Sequence, residues 1–187
     1  MTREFFNRDL DNLRTGVLAL GSEVEQNLVR VADALINRNA DLAQQLIDFD
    51  DHVNSQRIEL MMNSLMLIAT QQPMAGDMRL IAAVIEIAGE LERMHAYVKG
   101  IAKTSLVLGP EGELLPSFKE DFPRMAELAQ NMLNQAMTAF SENDAILAES
   151  LVKWDNQVDY IFNRLYKDIV SHAVTSPESI AHANQLE

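Results

Sequence analysis

The stretch ALINRNADLAQQLIDFDDHVN (residues 34–54) has a second copy in the chain, AFSENDAILAESLVKWDNQVD (residues 139–159), at an offset of 105 residues with no gap. Ala34 matches Ala139, Leu42 matches Leu147, Ala43 matches Ala148, Leu46 matches Leu151 and Val53 matches Val158. Asn39 over Asp144, Ile47 over Val152, Phe49 over Trp154 and Asn54 over Asp159 are conservative exchanges. Apolar spacing alone would say little, because any two amphipathic helices share it. Asp50 over Asp155 is a polar match that a core stripe does not require. The two stretches therefore read as copies of one structural unit, and the chain as a tandem repeat.

Working outward, Leu10, Leu13, Val17, Leu20, Val24, Leu28, Val31 and Leu35 recur at intervals of three and four, which predicts a long first helix ending near Asn37 to Asn39. Asn39 or Asp41 can cap a second helix, whose inward side would be Leu42, Leu46, Val53, Ile58, Met61, Leu65 and Ile68. A polar break, QQPMAGD (residues 71–77), then turns the chain into a third helix over Ala75 to Lys103, with Met78, Ile81, Ala82, Ile85, Ala88 and Leu91 inward. In this turn Pro73 stops one helix and Gly76 relaxes the backbone before Asp77.

The run SLVLGPEGELLPSF (residues 105–118) reads as the loop between the two units. SFKE (Ser117 to Glu120) fits a capping box for helix four, with Pro123 in its opening turns. Helix five is expected from Asp144 to Val174, and Ser176–Pro177 as the start of a sixth that the remaining residues cannot complete. The expected fold is all-α: two antiparallel three-helix bundles in tandem, the second truncated in its last helix. Residues 1–103 would form the first repeat, 104–116 the linker, and 117–187 the second.

Composition excludes several functions. A net charge of −13 leaves no basic stripe for nucleic acid and disfavours an anionic membrane surface. Apolar runs fall short of a membrane span, and the amino terminus lacks a signal core, so membrane insertion and secretion are not expected. The absence of cysteine fits a reducing cytoplasm and removes thiolate chemistry. No serine–histidine pair or glycine-rich phosphate loop is visible, so the chain is not expected to be an enzyme. The methionines, among them Met61, Met62, Met66, Met74 and Met78, read mostly as core filler.

Three pieces of the chain resemble the PhoU family, regulators of bacterial phosphate uptake. LIATQQPMAGDMRLI (residues 67–81) is similar to that family's junction between its second and third helices, including Gln71, Gln72, Pro73, Asp77 and Arg79. LERMHAYVKGIAK (residues 91–103) is similar to its third-helix motif, and the paired DFDDHVN and KWDNQVD segments match its second and fifth helices. The resemblance implies a cytoplasmic homodimer that restrains phosphate uptake and starvation signalling. Its partners would be a sensor histidine kinase and the ATPase of a phosphate importer. Gln71, Gln72, Asp77, Arg79 and Arg93 are the candidate partner-binding residues. Metal-binding members carry a Glu-x-x-x-Asp motif; here Glu92 is kept, but Ala96 stands at the Asp and Gly100 at a usual Asn.

Carboxylates still suggest a second class, a metal-binding bundle. Asp155 and Asp159, four residues apart, share a helix face, and like charges there are destabilising by about 0.2–0.5 kcal/mol unless neutralised. Glu92 and His95 have the Glu-x-x-His spacing of di-iron bundles, though with one copy only. Glu92, His95, Asp50, Asp155 and Asp159 are thus candidate ligands for a divalent metal or iron. The plainer reading is a solvated acidic face and a histidine partly buried or at the surface. A paralogue that regulates another transporter is a further alternative.

Overall fold

The computed structural model describes residues 3–111 and 113–175. Six helices follow one another: α1 Arg3–Ile36, α2 Ala40–Gln71, α3 Ala75–Leu108, α4 Pro116–Glu142, α5 Ala145–Glu149 and α6 Val152–Thr175. The all-α architecture expected from the repeat is what forms. The expected sixth-helix start at Ser176–Pro177 lies outside the described residues.

The stripe of α1 goes inward as its spacing predicts: Leu10, Leu13, Val17, Leu20, Val24, Val31 and Leu35 are buried. α1 packs against α2, α3 and α4 and is the spine of the molecule. Leu133 and Met137 of α4 join the core of α1–α3, while Leu35 and Leu108 join the core of α4 and α6. The two halves therefore share apolar contacts across α1 and α4. Gly21 permits one of them, because a Cβ there would lie 2.7 Å from the Met137 Cε.

The repeat is visible in the backbone. Arg38 and Asn143, 105 residues apart, both take left-handed conformations, at φ 56° and 55°. The next residue caps the following helix in each copy: Asn39 accepts from the Leu42 amide and Asp144 from the Leu147 amide, both at 3.0 Å. Even the turn bonds correspond, Asn39 N to Ala34 O at 3.0 Å and Asp144 N to Ala139 O at 2.9 Å. An oxygen-bearing cap satisfies an amide that the helix itself cannot.

Several boundaries differ from expectation. α3 runs past Lys103 to Leu108 and ends at Gly109, whose φ of 62° suits glycine. The SFKE capping box does not form, because Pro116 takes the first helical position with Leu115 before it, which places Ser117 inside the helix. Helix five is not continuous. The Leu147 carbonyl accepts from the Gln135 Nε2 at 3.0 Å and the Ser150 hydroxyl at 2.8 Å, and the ladder gives way to shorter bonds from Leu151 N to Ala148 O and Trp154 N to Leu151 O. The Trp154 indole donates back to the Gln135 Oε1 at 3.1 Å, which fixes the break.

The inward faces of α2 and α3 match the predicted ones only in part: Leu46 and Val53 of α2 are buried as predicted. Leu60, Ser64 and Leu67 are buried, whereas Ile58 and Leu65 are exposed; on α3, Ile81, Ala88 and Leu91 are buried while Met78 and Ala82 are exposed. α2 and α3 are apolar on more than one side, so composition did not single out the core face. For the same reason Met62, Met66, Met74 and Met78 lie at the surface rather than filling the core.

Candidate functional site

The α2–α3 turn is built by Gln72 rather than Gly76. Gln72 closes α2 in the left-handed region at φ 46°, Pro73 blocks continuation, and α3 opens at Ala75. Gly76 lies in the first turn of α3 with open space where a Cβ would be, so no backbone strain requires it. Asp77 reaches back to accept from the Met74 amide at 3.4 Å, and its charge suits a helix amino terminus. Gln72 and Arg79 are exposed, and Gln71 and Asp77 half-buried. Exposed apolar groups surround them: Met74 at 72%, with Met62, Leu65, Met66 and Met78 nearby in sequence on the same two helices. Arg93 stands apart, about four turns along α3, and pairs with Glu90 on its own helix.

His95 is fully buried, contrary to the partly exposed histidine expected, and it lies at the centre of a chain of polar contacts. Its Nδ1 is 3.1 Å from Asp50 Oδ1, and its Nε2 is 3.3 Å from Asn27 Nδ2. The Arg30 guanidinium donates to Asn27 Oδ1 at 2.9 Å. These contacts assign the roles: the Asn27 amide donates to Nε2, so the neutral ring carries its proton on Nδ1 and donates to Asp50. Lys99 donates to the other Asp50 oxygen at 2.6 Å. One connected chain, Arg30–Asn27–His95–Asp50–Lys99, thus ties α1, α3 and α2 together. Phe49 flanks it, its ring centroid 5.6 Å from that of His95.

Burial pushes the Asp50 carboxyl up, but hydrogen bonds from Lys99 and His95, with the Lys99 charge, outweigh it, so its pKa lies below the ordinary value. The same bond from Asp50, and then its charge, holds the Lys99 ammonium above its ordinary value.

These residues do not fit a metal. Both His95 nitrogens are engaged, one by an amide N–H, and an ammonium occupies the second Asp50 oxygen. Glu92 is half-buried on α3, while Asp155 and Asp159 are exposed on α6 in the other half. Among the described residues, no three His, Cys, Asp or Glu side chains converge. Of the five candidate ligands, only Asp50 and His95 touch. Asn27, Lys99 and Arg30 completed their cluster unforeseen; Asn27 sits in the apolar stripe of α1 and was the one legible signal that a buried partner waited opposite.

The family model for the PhoU domain matches residues 17–105 and 122–186, two matches that start 105 residues apart. The chain belongs to the PhoU family. It is 30% identical over 176 residues to the phosphate-specific transport system accessory protein PhoU homolog of Pseudomonas aeruginosa, covering 94% of this chain and 72% of that one. To the homolog of Aquifex aeolicus it is 27% identical over 179 residues, covering 96% and 80%. The crystal structure of PhoU from Pseudomonas aeruginosa superposes with a TM-score of 0.89 at 29% identity, over 96% of this chain and 86% of that one. That of the phosphate transport system regulatory protein PhoU from Streptococcus pneumoniae gives 0.86 at 28%, over 97% and 84%. Ala96 and Gly100 of α3 both line an apolar groove.

Proposed function

We propose that this PhoU-family chain is a cytoplasmic, non-enzymatic regulator of phosphate homeostasis. It acts as a homodimer and restrains phosphate uptake and starvation signalling by contacting a sensor histidine kinase and a phosphate ABC importer. The observation that carries this reading is the family match in both repeats, set at the chain's own 105-residue offset. Relatives over more than nine-tenths of the chain bear the name of a phosphate-specific transport system accessory protein. No helix among the described residues is long and apolar enough to cross a membrane, which is compatible with docking on a transporter from outside the bilayer. The surface best suited to docking is the α2–α3 turn, where exposed Gln72 and Arg79 stand among exposed methionines on two rigid helix ends.

The test is a starvation reporter. Deleting the gene in its native host should give constitutive phosphatase expression in phosphate-replete medium; normal repression would count against the reading. Arg79→Glu should weaken partner binding without unfolding the bundle, and unchanged binding would argue against the α2–α3 turn as the docking surface.

A further inference from the structure

The exposed apolar residues of α2 are not scattered. Ile58, Met62, Leu65 and Ala69 recur at steps of four, three and four, which is the spacing of a seam that receives another helix. Ile58, Met62 and Leu65 are 41%, 54% and 48% exposed, and Met66 beside them is 61% exposed. The stripe lies on the solvent side of α2, away from buried Leu60, Ser64 and Leu67. α2 ends at Gln71 and α3 starts at Ala75, so residues equally far from the turn stand at about the same height. That count sets Met61 against Ile85 and Ile68 against Met78. The bond from Lys99 to Asp50 fixes which sides meet, because Asp50, Met61 and Ile68 share one stripe of α2 and Lys99, Ile85 and Met78 one stripe of α3. Exposed Met78 and Ala82 thus carry the apolar face of α2 across onto α3.

We propose that this face seats an amphipathic helix of a partner protein, its apolar ridge flanked by lysine or arginine. The claim rests on the reading above that the chain docks on partner proteins, and it supplies the chemistry of the segment taken. Inside a helix the backbone groups are already paired, so α2 and α3 offer no edge to an added strand. Knobs at helical spacing take another helix instead. Methionines suit such a seat, because the unbranched thioether adapts to the ridge laid on it. Charge names the flanks. Glu59 on α2 and Glu86 on α3 stand at about the same height and on opposite rims of the face. Both are exposed, and neither joins the ion pairs among the described residues. Cationic side chains on both sides of the partner's ridge would answer them. Arg79, two turns nearer the α2–α3 turn than Glu86, calls for a carboxylate at that end of the partner helix. A net charge of −13 favours a basic segment over a second acidic copy of the chain.

The experiment uses the full chain and two fluorescein-labelled helical peptides, read by anisotropy, with circular dichroism to confirm the fold of each variant. Both peptides carry leucine at the a and d heptad positions; one carries lysine at e and g, its twin glutamate. The lysine peptide should bind and the glutamate twin should not. Met62→Lys with Leu65→Lys should weaken binding about tenfold or more, and both positions are exposed enough to keep the fold. Glu59→Lys with Glu86→Lys, which leaves the apolar face intact, should weaken it about fivefold. Phe162→Lys, on exposed α6, should change nothing. Equal binding of the two peptides, no binding, indifference to the α2 substitutions, or loss on Phe162→Lys overturns the proposal. In the native host, a benzophenone side chain at Met62 should cross-link to a segment with apolar residues three and four apart and a basic excess. Cross-links to a second copy of the chain, to an acidic segment, or to nothing overturn it. The reporter assay above reads the regulatory role by itself. Derepression on deletion with no peptide binding strikes this face and leaves the role standing; normal repression strikes the role whatever the peptides do.

Discussion

Asn39 and Asp144 make the same bond 105 residues apart, each accepting from the amide three positions on at 3.0 Å after a residue held left-handed. Two different side chains thus serve one geometry, which is the strongest structural sign that the halves are copies. Replacing either with alanine should cost about 1 kcal/mol. The two losses should add, because the caps belong to different halves and share no partner. Urea denaturation of the single and double variants checks both statements.

The buried chain through His95 should be costly to interrupt. His95→Leu removes a donor and an acceptor at once and strands Asn27 and Asp50, so a loss of about 1–3 kcal/mol is expected. Asp50→Asn should lose the Lys99 pair and become less pH-sensitive. The sign follows from the depressed Asp50 pKa: its contribution is complete above the unfolded carboxylate value of about 3.9 and vanishes as pH falls through the lower folded value. The raised Lys99 pKa contributes in full below its unfolded value of about 10.4 and is lost as pH rises through the folded one. Denaturant midpoints from pH 2 to 11 should show the Asp50→Asn difference shrinking at both ends.

Chelator should leave the melting temperature unchanged, because an ammonium and an amide already occupy the positions a cation would need at Asp50 and His95. A drop on adding EDTA, reversed by manganese or iron, would restore the metal-binding reading.

Gln135→Ala should release the break between α5 and α6. The side chain bonds the Leu147 carbonyl, the Ser150 hydroxyl and the Trp154 indole, so about 1–3 kcal/mol of stability should go with it. Trp154 is the chain's single tryptophan, and its emission should shift to the red as the indole loses its partner.

Gln72→Gly should stabilise the protein by about 1 kcal/mol, because the left-handed backbone there suits glycine. Gly89→Ala should gain a similar amount for the opposite reason: it lies inside α3 and a Cβ would meet nothing within 4 Å. Thermal melts of the two variants test both.

The sequence by itself determined the helices, the turn between α2 and α3, the tandem organisation and the family, because each is written in local pattern. Leu10 to Leu35 repeat at helical spacing, Asn39 and Asp144 are oxygen-bearing caps, and Pro73 can neither continue a helix nor donate an amide. Tertiary structure decided which side of α2 and α3 is core, since both helices are apolar on more than one side and only packing against α1 chose Leu60 over Ile58. It also decided the break at Ser150, which depends on Gln135 from another helix. The same holds for His95: its spacing from Glu92 suggested ligation, but Asn27 and Asp50 reach it from two other helices, 68 and 45 residues away, and no local pattern encodes a contact of that range.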